Sequence, residues 1–115
     1  MKPQIDYADF SKLDLRVGEV VESGAVEGSD KLVRMVVDFG VELGKRTICA
    51  GIKPWYPPEK LAGRKLAFVV NLAPKRFKIG EKEYESAGMV LAVASDEKAV
   101  LYNFDEDVVT GSVVR

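Results

Sequence analysis

Residues Leu13–Val21 read LDLRVGEVV, and how that run behaves decides the fold. Leu13, Leu15 and Val17 alternate with Asp14 and Arg16. That is the period-two pattern of a strand with one face in a core and the other in water. Gly18 interrupts the alternation, as glycine does at a bulge or where a strand bends round the corner of a barrel. Four further apolar runs follow with turn signals between them: Leu32–Phe39, Lys45–Ile52, Lys65–Leu72 and Gly88–Ala94. Helix has little room. Tyr7–Lys12 can form one short turn capped by Asp6. The prolines at 54, 57 and 58 forbid a long helix but allow PPEKL a single turn ended by Gly63.

Five strands, the first long and bent, with a short helical element between the third and fourth, predict an all-β chain. The expected architecture is a five-stranded Greek-key OB-fold barrel with short helical turns and a C-terminal extension. At 115 residues this is one domain: an N-terminal turn over 1–12, a barrel over 13–94 and an extension over 95–115. The extension carries Ala99–Phe104 and Val108–Arg115, which are too apolar to lie in water. They need a groove on their own barrel or a second copy of the chain.

Net charge is −1, yet its distribution is uneven. Residues 43–80 hold nine Lys and Arg against Glu59 alone, while the segments on either side are acidic. A local cationic field holds a polyanion even on a neutral protein; clustering on an ordinary solvated surface is the plainer alternative. The densest cluster, Lys75, Arg76 and Lys78, lies between the fourth and fifth strands, in a connection far longer than the two to five residues of a hairpin turn.

Several classes of function are excluded or disfavoured. There is no histidine, so Ser-His and Cys-His nucleophile pairs and histidine-bound zinc are ruled out. No carboxylates or lysines cluster as a matched acid and base, and neither a catalytic residue, a metal site nor a cofactor is expected. The lone Cys49 reads as a buried thiol and fits a reducing cytosol, hence a cytoplasmic protein. No apolar run reaches the ~18 residues of a membrane span, and the N-terminus lacks a signal-peptide core. The stretches DEDVVTG, GSDKL and GEKEYESAG match neither a calcium loop nor a phosphate-cradling loop.

DFSKLDLRVGEVV, SDKLVRMVVDFG, KRTICAGI, YPPEKLAGRKLAFVVNLAP and SAGMVLA, in that order, carry a resemblance over roughly residues 7–115. The chain resembles the tRNA-binding domain that is fused to bacterial methionyl-tRNA synthetases and to endothelial monocyte-activating polypeptide, and that also occurs alone. The resemblance implies an OB-fold, structure-dependent tRNA binding, homodimers built from the chain termini, and no chemistry of its own. A methionyl-tRNA synthetase is a possible partner, with this chain as an accessory subunit. An export-related chaperone of the same fold, binding unfolded polypeptide, shares the first strand and PPEKLAGRKLAFVVN and is the alternative. That branch typically lacks AGI and SAGM. One departure from the family pattern is the five residues EKEYE between Gly80 and Ser86, which lengthen the loop.

The candidate tRNA-binding residues follow from these patterns. Lys75, Arg76 and Lys78 supply cations for phosphates, and an arginine can also fork onto a phosphate or stack on a base. Lys31 and Arg46 open the second and third strands, where an ion pair with Asp30 or Asp38 competes with an RNA-facing role. Asn71 ends the fourth strand, and its amide suits either RNA recognition or an Asx turn. Ser86 and Met89 match the family's S-x-G-M. Phe77 and Tyr84 flank the basic cluster and could stack on bases. Trp55 and Tyr56 are expected to plug one end of the barrel, and Arg16 to be a structural ion-pair partner.

Overall fold

The computed structural model describes all 115 residues, and strands dominate it. In chain order they are β1 Leu15–Ala25, β2 Val33–Asp38, β3 Lys45–Ala50, β4 Lys65–Val69, β5 Lys75–Ile79, β6 Lys82–Ser86, β7 Met89–Val90, β8 Ala92–Ser95, β9 Lys98–Leu101 and β10 Val113–Val114. A short helix, α1, covers Tyr7–Phe10, and a 3-10 turn covers Pro58–Lys60 before Gly63 at φ +88°. Asp6 stands at the N-cap of α1, but its side chain makes no capping bond; its backbone carbonyl accepts from Asp9 and Phe10 instead. No helix is long and apolar enough to cross a membrane.

The principal sheet runs β3-β2-β1-β4-β7 and curls into a nearly closed OB-like barrel. β1 makes this possible. Its first half, Leu15–Glu19, pairs antiparallel with β4, and its second half, Glu19–Ala25, pairs with β2. The strand changes partner at a bulge between Val20 and Glu22, not at Gly18. Gly18 serves another need. A Cβ there would lie 2.6 Å from Phe39 Cε1 and would also collide with Val37, so the missing side chain lets β2 and its Phe39 extension close over β1.

Strict alternation along β2, with Val33, Met35 and Val37 buried, fixes the register of the barrel wall. Phe39 and Phe68 meet edge to face, centroids 5.3 Å apart, in the middle of the core. Each fully buried side chain of this size contributes about 1.5–3 kcal/mol. Leu61, fully buried, belongs to the core; of the two aromatics expected to plug one end of the barrel, Tyr56 packs against that core and Trp55 does not. Tyr56 is half-buried, with its hydroxyl accepting from the Leu101 N–H (3.1 Å) and Arg64 over its ring. Trp55 is partly exposed against β8 and β9.

The C-terminal segment folds back onto its own barrel. The expected fifth strand breaks at Leu91: β7 pairs with β4, while β8 forms a tight hairpin with β9 through Asp96 and Glu97, both at positive φ. Leu101 then joins the core. β10 pairs with Leu15 and Arg16, and Gly111 and Ser112 extend that pairing by bonds to both backbone groups of Val17. Arg16 is held there by Asp14 at 2.6 Å and by the Gly111 carbonyl.

Candidate nucleic-acid interface

The connection between β4 and β7 is a second structure, not a slack loop. β5 and β6 form a two-stranded hairpin in which Lys75 faces Ser86, Phe77 faces Tyr84 and Ile79 faces Lys82. Gly80, at φ +63°, opens the two-residue turn with Glu81. Alternation sorts its faces. Phe77, Ile79 and Tyr84 are half-buried on the inner side, while Arg76, Lys78, Glu83 and Glu85 are exposed on the outer side.

Contacts at its root and at its tip fix the hairpin over the barrel. At its root, buried Ser86 accepts the Cys49 N–H at 2.9 Å, and Ala87 N–H donates to the Thr47 carbonyl. There Gly88, at φ +141°, passes so close to β3 and β4 that a Cβ would be 3.0 Å from Ile48 Cδ1 and the Val69 carbonyl. At its tip, Ile79 packs over Gly28, and Lys82 donates to Glu27 Oε2 at 2.9 Å. That ion pair holds the Glu27 carboxyl below, and the Lys82 ammonium above, their ordinary pKa values. Beneath the hairpin, the Arg46 guanidinium crosses from β3 to donate to the Val70 carbonyl just past the end of β4, tying together two barrel strands.

Between hairpin and barrel lies an open groove of about 720 Å³. Leu32, Leu72, Phe77, Ile79 and Met89 supply its apolar lining, and Lys75, on the face of β5 that carries Phe77 and Ile79, supplies charge. Lys78 also contributes to the lining although alternation sets it on the outer register, and no Asp or Glu lines the groove. Cys49 also faces the groove and is half-exposed, not buried as expected. Desolvation pushes its thiol pKa up against a weaker opposing pull from Arg34, so it is protonated at neutral pH.

The structure treats the candidate residues differently. Lys75, Lys78 and Lys31, the last exposed just before groove-lining Leu32, have no carboxylate within ion-pair distance. Neither Lys31 nor Arg46 pairs with Asp30 or Asp38. Arg76 is exposed on the outer face and paired with Glu85 at 2.9 Å. Met89 is 47% exposed in the groove. Phe77 and Tyr84 stack on one another, centroids 5.6 Å apart and planes 19° apart. Asn71 has both ends of its amide committed within the chain. Its Oδ1 accepts from Asp14 N–H at 2.8 Å, and its Nδ2 donates to the Lys12 carbonyl at 2.6 Å. Ser86 is likewise committed.

A barrel with a basic, apolar-floored groove on one face is matched over residues 15–113 by the model of the family described as "Putative tRNA binding domain". The chain belongs to this tRNA-binding domain family. It is 44% identical over its whole length to part of the methionine–tRNA ligase of Clostridium acetobutylicum, and 47% identical over 96% of its length to part of that of Stenotrophomonas maltophilia. It spans only 17% and 16% of those relatives. Among solved structures, the MetRS related protein from Pyrococcus horikoshii superposes with a TM-score of 0.87 at 36% identity, covering 99% of this chain and 100% of that one. The chaperone CsaA from Bacillus anthracis superposes with a TM-score of 0.83 at 31% identity, covering 98% and 100%.

Within this tRNA-binding domain the inserted EKEYE residues complete the hairpin turn at Glu81 and supply most of its return strand, Lys82–Glu85. The sequence did carry that signal: Phe77 and Ile79 alternate before a Gly-Glu pair, and Lys82 and Tyr84 alternate after it. Leu32, Leu72 and Ile79 of the groove, and the Lys82–Glu27 pair, had no such local signal, because each depends on which strand the hairpin covers.

Proposed function

We propose that this chain binds tRNA in the groove between the β5–β6 hairpin and the barrel, with Lys31, Lys75 and Lys78 neutralising backbone phosphates. The observation that carries this reading is the charge arrangement: unpaired lysines beside an apolar floor with no lining carboxylate. An ammonium already engaged by a carboxylate gains less from a phosphate, so free lysines dominate the salt-dependent attraction. Arg76, shared with Glu85, is a secondary contact. Ser86 acts by shaping the groove wall, and Asn71 by fastening the chain just before groove-lining Leu72.

The chain works by binding and holds no reaction centre of its own. It acts alone or as an accessory subunit that raises the effective concentration of tRNA near a methionyl-tRNA synthetase, in the cytoplasm. It does so as a symmetric homodimer. Tyr7, Val93, Val100, Tyr102, Val109 and Val113 stay exposed after the C-terminal segment has folded back, and such apolar surface favours a second copy.

Filter-binding titrations with total tRNA, single-stranded RNA, duplex DNA and an unfolded peptide test the reading. Tighter binding of tRNA than of duplex DNA of equal length supports it. A preference for duplex DNA overturns it. Binding of the peptide alone transfers the groove to a chaperone role, the reading favoured by the likeness to CsaA.

A further inference from the structure

Resting on the tRNA reading of this groove, we infer that its floor takes unstacked bases of a single-stranded segment, about two nucleotides long, and tolerates any base sequence. Folded RNA is otherwise held by charge and shape alone, which needs lysines but no apolar floor. This groove has both. Its volume of about 720 Å³ falls in the range of clefts that enclose a ligand of drug-like size, the scale of a dinucleotide step.

The lining argues for base faces over base edges. Leu72, Met89, Phe77 and Ile79 present apolar surface, and Phe77 is backed by the stacked Tyr84 ring on the side away from the groove, where Tyr84 lies beside Lys45 and Arg46. Every base has a π-face, so such a platform does not discriminate sequence. The one lining hydroxyl, Ser86, is already bonded to the Cys49 backbone and to the Gly88 carbonyl. The remaining polar side chains there are lysines, which fit phosphates flanking an inserted base. That charge complementarity favours a nucleic acid over an apolar peptide as occupant.

Cys49 provides a reporter inside the groove. In the full-length protein, its reaction with dithiodipyridine should slow several-fold when tRNA or a tetranucleotide of A or of U is bound, and equally for the two homopolymers. Heparin, a polyanion without bases, should leave it unchanged. Leu72→Ala with Met89→Ala, both at exposed positions, should weaken tRNA and tetranucleotide binding about tenfold while leaving heparin affinity and the salt slope unaltered. If tRNA binds but neither protects Cys49 nor responds to the double variant, the base-binding inference is overturned while the tRNA reading stands. If only one homopolymer protects, sequence tolerance is wrong. Protection by an unfolded peptide but not by any oligonucleotide overturns the inference in favour of a polypeptide occupant. Failure of the wild-type chain to bind tRNA overturns the tRNA reading itself.

Discussion

Ser86 at the end of β6 accepts a hydrogen bond from the Cys49 N–H of β3 at 2.9 Å, and beside the Ala87–Thr47 backbone bond it is the side-chain contact that joins the hairpin root to the barrel. A serine in this position is therefore a structural fastener whose loss leaves a backbone donor unpaired. Ser86→Ala should lower stability by about 1–2 kcal/mol, measured by urea denaturation. Any loss of tRNA affinity should be modest and should follow from a looser hairpin. A large affinity loss with unchanged stability would make Ser86 a direct RNA ligand.

Asn71, just before groove-lining Leu72, poses the same question. Its amide bridges the Lys12 carbonyl and the Asp14 N–H. Asn71→Ala removes both bonds and should cost about 1–2 kcal/mol, with hydrogen exchange rising first in residues 12–15. Unchanged stability together with lost RNA binding would reverse that assignment.

Two glycines of β1 give opposite expectations. Gly18→Ala drives a Cβ into Val37 and Phe39 and should cost about 1–3 kcal/mol or more. Gly24→Ala meets nothing within 4 Å and should change stability by no more than about 0.5 kcal/mol. Equal effects in thermal melts would show that the close approach at Gly18 is not what constrains β1.

The hairpin tip should respond to pH through Lys82 and Glu27. Glu27 is more acidic in the folded chain than in the unfolded one, because Lys82 donates to it. Its contribution is present above the ordinary glutamate range and is lost as pH falls through its lowered value. Lys82 is raised, so its contribution is present below the ordinary lysine range and is lost as pH rises through the raised value. Across neutral pH the pair is intact. Amide protection at the β5–β6 tip should drop in acid before that of the barrel does, and Glu27→Gln should abolish that difference. The energy is small, since both partners face water.

Much of this was legible in the sequence. Leu15, Val17 and the alternation of β2 marked barrel strands, and the prolines at 54, 57 and 58 marked the turn before β4. Where local pattern and tertiary need diverge, the sequence misled. Gly18 looks like a bulge but answers a collision across the sheet, and the bulge falls at Val21, which has no special residue type. Asn71 and Ser86 have side chains equally suited to RNA or to backbone, and only the fold shows that backbone partners lie within reach. The lysines carried their signal in composition alone. Which of the cations would be left without a carboxylate depended on register: Arg76 falls opposite Glu85 and pairs with it, whereas Lys78 falls opposite Glu83 without closing an ion pair.

The most direct test of tRNA binding through the unpaired lysines is the salt dependence of affinity in Lys31, Lys75 and Lys78. For the wild-type chain, log K should fall against log salt with a slope of roughly −3 to −4, as for about four neutralised phosphates. The triple Lys→Ala variant should melt at nearly the wild-type temperature, with the slope reduced in magnitude by about 2 to 3. A variant whose slope equals that of the wild type would show that these lysines do not hold the phosphates.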